Sequence, residues 1–408
     1  MTSKGAIDAA PVSAHEQEVL HLIDADEVVR AARRLIQAPG ENPPGQEQAT
    51  ADVLSDLAQA AGLGPRSWDV APGRPNVEAT LPGGPGPGLL VLGHTDVVPV
   101  GEGWTRDPFG GEVIDGRIYG RGSSDMLGGL ASALVAMCAL RRAGVALSGP
   151  VLLAALADEE QNGIGVRGWI DRPGRPDLLG CVVAEPTDLQ TIIAARGACY
   201  LDITVTGVAA HAGRPDDGAN AIGGAVAIVA EMERWHVELA AQAHPLVGPP
   251  TFNVGTISGG TGGSVVAAEC RIGVDRRLLP RERIEDVLAA VAARLARLGL
   301  GDRGLAFEVA SPMDMPGFET PADHRLVSVV DEAAGSAGRP SMPLAGWSAA
   351  CDGGFVASQW GVPVVVLGPG SVNEQAHRPD ESVGIDELVT AARTYALMAL
   401  RLLGCEVT

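Results

Sequence analysis

Side chains with ligand or acid–base chemistry recur where apolar runs stop. "GLLVLGHTD" ends on His94 and Asp96. "PVLLAALADEE" runs from Val151 through Ala157 straight into Asp158, Glu159 and Glu160. "LLGCVVAEPTD" delivers Glu185, and "GVPVVVLGPGS" leads into the loop "GPGSVNEQAHRPDE", which carries His377. Asp125 sits in "YGRGSSDMLGG", just ahead of a helical segment. Adjacent carboxylates repel, and burying even one is costly without a cation or partner. A lone histidine or acidic triplet at an element end is ordinarily structural, a hydrogen-bonded ring or a solvated face. Several such groups at one sheet edge point instead to a bound cation. A mixed His, Asp and Glu set with no cysteine suits zinc, cobalt or manganese. The set is too large for one tetrahedral site, and two ions sharing a bridging carboxylate would use all of it.

The elements that must position these groups follow from periodicity. Apolar stretches at 88–92, 150–157, 179–184 and 362–367 are continuous rather than alternating, as expected of strands covered on both faces in a mostly parallel sheet. Helical patterns lie at 24–37, 46–62 and 126–144, so this part is α/β. The turn-rich "LPGGPGPG" (81–88) joins two strands. In open α/β sheets, ligands bind beyond the carboxyl ends of the strands, which is where the candidate ligands fall. The middle differs: "LDITVTG" (201–207) alternates, the mark of a sheet with one wet face. A helix at 217–240, two strands in "TFNVGTISGG" and "SVVAAECRIGVDRRL", a helix at 281–299 and "LAFEVAS" follow. The order β-α-β-β-α-β predicts a ferredoxin-like unit that interrupts the α/β domain.

Composition limits the remaining possibilities. The chain has 408 residues, enough for two domains, and 46% are hydrophobic. A net charge of −20 argues against nucleic acid or an anionic membrane as partner. No apolar run reaches transmembrane length, and "MTSKGAIDAAPVSAHEQEV" lacks a signal-peptide core, so a cytoplasmic location is expected. The six cysteines (Cys138, Cys181, Cys199, Cys270, Cys351, Cys405) form no C-x-x-C pair and are expected to be reduced core residues.

The stretches "GHTDVVP" (93–99), "GWTRDPFGGEVIDGRIYGRGSSDMLGG" (103–129), "DEE" (158–160), "AEPT" (184–187), "HAGRPDDGANAI" (211–222), "VDRRLLP" (274–280) and "VLGPGSVNEQAHRPDE" (366–381) occur in an order that resembles the M20 metallopeptidases. That group includes acetylornithine deacetylase, succinyl-diaminopimelate desuccinylase, aminoacylase and carboxypeptidase G; the last stretch looks most like the deacetylase branch. The resemblance implies a zinc-exopeptidase-like catalytic domain over 1–194 and 316–408, with a lid and dimerisation domain at 195–315. It implies two divalent ions, zinc or alternatively cobalt or manganese. His94 and Glu185 would hold one ion, Glu160 and His377 the other, and Asp125 would bridge them. Asp96 would orient the His94 ring, and Glu159 would serve as general base. The peptide bond after Asp125 would be cis.

In the lid, His211 matches a residue that stabilises the oxyanion across a dimer, its plainer alternative being a turn-capping ring. Arg277 matches a lid arginine that grips substrate carboxylate, and Arg196 has a similar, weaker case. Arg277 could also be one surface charge among Arg271, Arg276, Arg281 and Arg283. The implied activity is amide hydrolysis of an N-acyl amino acid by a homodimer. A dipeptidase or carboxypeptidase is the runner-up, and a catalytically silent binding homologue a third reading. Departures from the family pattern, at Leu127, Ser264, Ala267, Ala349 and Ala350, fall outside the expected ligands and bear on the substrate.

Overall fold

The computed structural model describes residues 10–404. Residues 1–9, part of the stretch expected to lack a signal core, and Cys405 lie outside the described residues. In chain order, helices α1 (Ala14–His21), α2 (Ala25–Ile36) and α3 (Gln48–Ala60) come first. Strands β1 (Arg66–Ala71), β2 (Arg74–Leu81), β3 (Gly88–His94), β4 (Glu112–Ile114) and β5 (Arg117–Tyr119) follow. Then come α4 (Leu127–Ala143), β6 (Val151–Leu156), α5 (Ile164–Ile170), β7 (Leu178–Val183) and β8 (Ile192–Ala195). The middle holds β9 (Gly197–Thr206), α6 (Ala221–Leu239), β10 (Thr251–Gly259), β11 (Glu269–Leu278), α7 (Ile284–Ala296), β12 (Ala306–Met315) and β13 (Phe318–Glu319). The chain closes with α8 (Arg325–Ser336), β14 (Ala345–Trp347), α9 (Gly353–Trp360), β15 (Val364–Val366), β16 (Ser382–Gly384) and α10 (Ile385–Leu403).

The chain divides into two compact units. One comprises the residues up to Ile193, Thr320–Ala345 and Phe355 onward; the other comprises Ala194–Glu319 and Gly346–Gly354. In the first, β6, β3, β7 and β15 lie side by side and parallel. These are the four continuous apolar runs, and β3 and β6 are buried along their whole length. β1 and β2 extend this sheet antiparallel beyond β6. α4 shows why the burial is double-sided: Leu127 through Leu140 are all buried, so the helix is apolar all round and lies inside. It ends at Gly144, whose φ of 64° closes a left-handed C-cap. A small sheet of β16, β5 and β4 sits apart. It escapes sequence reading because each strand is three residues long.

The second unit carries the β-α-β-β-α-β order with sheet order β10-β11-β9-β12, all pairs antiparallel, as expected of a ferredoxin-like arrangement. The alternation in β9 is real: Leu201, Ile203 and Val205 are buried, with α6 and α7 residues Ile228, Met232, Val291 and Leu295 in the same core. Among the described residues no helix is long and apolar enough to cross a membrane. Cys138, Cys181, Cys199, Cys270 and Cys351 are buried and in no disulfide.

One turn decides how β6 delivers its acids. Asp158 is buried and has a φ of 70°. Its Oδ2 accepts the backbone N–H of Asn162 (3.2 Å) and Ile164 (3.3 Å), closing the turn. Its Oδ1 accepts from Asn42 Nδ2 (2.9 Å) and Arg74 Nη2 (2.7 Å). Arg74 also grips the fully buried Glu47 through both Nε and Nη2. The first member of the acidic triplet is thus a structural carboxylate with its own cation. Removing one partner of a buried ion pair strands the other charge, at a cost of about 3–5 kcal/mol. Arg74→Met should therefore lower stability by about that amount, read from the urea midpoint. A loss well below 1 kcal/mol would mean that Glu47 and Asp158 find water or protons and do not depend on Arg74.

Candidate metal centre

The parallel strands end at one edge, and the expected ligands meet there. His94 is the last residue of β3 and is 1% exposed. Its Nδ1 faces Asp96, at 2.9 Å from the main-chain oxygen and 3.5 Å from Oδ1. A proton on Nδ1 satisfies that contact and leaves the Nε2 lone pair pointing the other way. Nε2 looks at Asp125 Oδ1 (3.3 Å) and Glu185 Oε1 (3.5 Å). His377, at a φ of 63°, presents its Nε2 to Asp125 Oδ2 (3.3 Å) and Glu160 Oε1 (3.2 Å). His94, Asp125 and Glu160 offer ligand atoms all within 4.8 Å of one another, and so do His94, Glu159 and Glu185.

The charge balance is uneven. Burial opposes charge on His94, but Glu185, Asp125 and Asp96 outweigh it and hold the ring well above the usual imidazole value. Hydrogen bonds to Asp125 and Glu160 push His377 up to about 10. Burial also works against Asp125, yet the two imidazoles keep its pKa well below the carboxylate range. Glu160 and Glu185 move the other way, raised first by burial and then by the charge of Asp125. Crowded carboxylates facing imidazole nitrogens want positive charge between them. The oxygen and nitrogen donors, with no thiolate among them, suit a borderline divalent cation.

Apart from Asp96 beside the His94 ring, the supports around these side chains were not legible in the sequence. Asp96, fully buried, accepts the backbone N–H of Glu159 (3.1 Å) and Glu160 (3.0 Å) and the amide of Asn42 (2.9 Å). It therefore holds the Glu159–Glu160 backbone as well as facing the His94 ring. Glu381, also fully buried, accepts from Ser124 N–H (2.9 Å) and Asp125 N–H (3.0 Å) through Oε1. Its Oε2 accepts from Gly122 N–H (3.2 Å) and Arg121 Nη1 (2.6 Å). Burial raises Glu381 to about 7 against the pull of Arg121. One carboxylate thus ties the His377 loop to the turn that carries Asp125. The peptide bond Asp125–Met126 is cis. Leu127, one of the expected departures from the family pattern, is buried as the first residue of α4.

The remaining candidates lie in the second unit. His211 is exposed, and its Nδ1 accepts the N–H of Gly213 (3.0 Å). That is the turn-capping bond, and it leaves the ring proton on Nε2. Arg277 is held bidentate by Asp275, at 2.9 and 3.0 Å, within β11. Arg196 donates through Nε to Val247 O (2.7 Å); burial and then the nearby charge of Arg277 lower its pKa.

Comparison with known proteins gives the family. Residues 90–401 match the model of Peptidase family M20/M25/M40. Acetylornithine deacetylase of Proteus mirabilis (strain HI4320) is 33% identical over 358 residues, 85% of this chain and 88% of that protein. The same enzyme of Klebsiella pneumoniae (strain 342) is 35% identical over 305 residues, 72% of this chain and 75% of that protein. Among solved structures, an M20 family metallo-carboxypeptidase from Sulfolobus solfataricus superposes with a TM-score of 0.76 at 19% identity, over 92% of this chain and 98% of that one. The chain belongs to peptidase family M20/M25/M40 and is a metal-dependent amidohydrolase of that family.

Proposed function

We propose that the protein cleaves the amide bond of an N-acyl amino acid at a two-metal centre, releasing a free amino acid and a small acid. The observation that carries this reading is the Asp125 carboxylate. Its two oxygens face two different histidines, His94 and His377, each at 3.3 Å, the disposition of a bridging ligand. His94 with Glu185, and His377 with Glu160, would complete the two ligand sets. Zinc, cobalt and manganese all suit these donors. When bound, such ions supply a water acidified to near neutral pH and polarisation of the scissile carbonyl.

The chain's own residues do the rest. Glu159 lies within reach of the His94–Glu185 side of the centre. As general base it takes the proton of the attacking water and returns it to the leaving nitrogen. Asp96 keeps the His94 ring in one tautomer and the Glu159 backbone in place. The Nε2–H of His211 is suited to donate to an oxyanion, and the guanidiniums of Arg196 and Arg277, near enough for the charge of Arg277 to act on Arg196, suit a substrate carboxylate. Acetylornithine deacetylases among the relatives support an acetyl group as the first acyl group to test.

Support for a homodimer comes from the second unit. Among the described residues β10 is an outer strand of its sheet, and Ile257 on it, with Val208, Ile222, Val226 and Val265 elsewhere in the unit, is exposed.

Metal analysis after reconstitution with zinc or cobalt should find two ions per chain. Chelation should abolish hydrolysis of N-acetyl and N-succinyl amino acids, assayed beside dipeptides. Full activity with one ion that titration cannot increase would remove the two-metal reading. Faster cleavage of dipeptides than of every acyl amino acid would make the enzyme a peptidase.

Glu159→Gln is nearly isosteric and removes the base. It should lower kcat by at least roughly 10²-fold with metal content unchanged. Lost metal would instead make Glu159 a ligand. His211→Ala should cost on the order of 10²–10³ in kcat with metals still bound. If the ring serves the partner's site, mixing Glu159→Ala protein with His211→Ala protein under subunit exchange makes half of random dimers mixed. Each mixed dimer owns one intact site, so activity should recover to about a quarter of wild type. No recovery despite proven exchange would confine His211 to its own chain.

A further inference from the structure

A cleft of about 440 Å³ lies between α2, α3 and α4. Its walls are apolar: Ala31 of α2, Leu57 of α3, and Leu134, Val135 and Cys138 of α4. The α4 residues are buried core positions, so the cleft opens onto the interior packing of the helix layer. Cys138 adds no reactivity, because burial, helped by the charge of Glu27, pushes its thiol up to about 11. The volume falls within the range of small-molecule pockets, roughly 300–1,000 Å³.

The rim is cationic in a chain whose net charge is −20. Arg30, Arg34, Arg141 and Arg142 surround the opening against a single carboxylate, Glu27. Arg142 is satisfied by Glu27, at 2.7 and 3.1 Å. Arg141 donates to Gly62 O at the end of α3. Among the described residues the Arg30 side chain has only an exposed, 3.7 Å pairing with Asp24, and the Arg34 side chain has no hydrogen bond or ion pair. These two guanidiniums sit one turn apart on the same face of α2, where like charges repel. Nothing in the fold requires that repulsion, and an anion between them would relieve it.

We propose that this cleft is a binding site for a small amphipathic carboxylate, its apolar body on the α4 floor and its charge between Arg30 and Arg34. The site is separate from the metal centre. Its α4 residues lie roughly 10–16 Å along the helix axis from Leu127, the residue two after Asp125. Arginine suits the role because its planar fork matches a carboxylate.

Octanoate is a suitable probe, titrated calorimetrically into the metal-loaded, full-length protein. One octanoate should bind per chain with a Kd on the order of 0.1–1 mM, the range for so small a ligand. Octan-1-ol lacks the charge and inorganic phosphate lacks the apolar body; each should bind at least about tenfold more weakly. The double variant Arg30→Glu/Arg34→Glu changes only exposed residues and should weaken octanoate at least about tenfold, with thermal unfolding unchanged. Leu134→Trp, which fills the floor, should block binding wherever it folds. His94→Ala should leave binding intact. The proposal is overturned if octanoate does not bind, or if phosphate binds as well as octanoate. It is equally overturned if His94→Ala removes octanoate binding while the arginine variant keeps it, since the carboxylate would then sit at the metal centre.

Discussion

The architecture of the first unit depends on how negative charge is handled at one sheet edge. Three of the parallel strands, β3, β6 and β7, direct Asp96, Asp158, Glu159, Glu160 and Glu185 toward the same place, and the turn before α4 adds Asp125. Buried carboxylates at such density would unfold the edge unless each found compensation. The chain divides them by partner. Asp158 takes Arg74, Glu381 takes Arg121, and Asp96 takes two backbone N–H groups and the Asn42 amide. Asp125, Glu160 and Glu185 face the two imidazoles. The first set builds the frame, and the second is left to bind a cation. The acidic triplet after β6 straddles this division, since its first member belongs to the frame and its last to the cation set.

The same partition explains what could be read in the sequence. The four core strands were legible because double-sided burial makes their apolar runs continuous, and the ligand-bearing residues follow those runs directly. The ferredoxin-like unit was legible because the wet face of β9 forces alternation. Asp158 could not be told from its neighbours: its role depends on Arg74, 84 positions earlier, and nothing local marks that pairing. Glu381 stands in a quoted stretch, yet its partners at 122–125 lie about 257 positions away. Asn42, which precedes two consecutive cis bonds in "NPPG", reads as a loop residue but bridges Asp96 and Asp158. Type and spacing disclose ligands because chemistry restricts ligand identity. The groups that hold them are restricted only by tertiary geometry, and many residue types could fill those positions.

A second limit on legibility concerns orientation. The family resemblance offers Arg277 to a substrate carboxylate, its alternative being a surface charge, and the guanidinium is already engaged by Asp275 two residues earlier in the same strand. That pairing fixes the fork before any ligand arrives, so less rotamer entropy remains to be lost on binding. It also means that a ligand carboxylate must share the arginine or displace Asp275. His211 leaves room for a similar double use. The turn-capping bond at Nδ1 and an oxyanion donor at Nε2 are not rivals, because accepting a proton on one nitrogen places the ring proton on the other.

Cation binding needs oxygens placed within fractions of an ångström, and close backbone packing sets that spacing. Ala184, the residue before Glu185, has its carbonyl pressed by two glycines. A Cβ at Gly129 of α4 would stand 2.2 Å from that oxygen, and one at Gly368 would stand 2.3 Å away. Both separations are impossible, so α4 and the loop after β15 approach the end of β7 only because neither position carries a side chain. Asp125 precedes α4 by two residues, Glu185 follows Ala184, and His377 lies on the loop that Gly368 opens. A methyl group at either glycine would push one of these candidate ligands away from the others. The "MLGG" and "VLGPG" stretches are therefore as much a part of the site as the carboxylates they accompany. They supply no donor atom, and they set how near the donors come to one another.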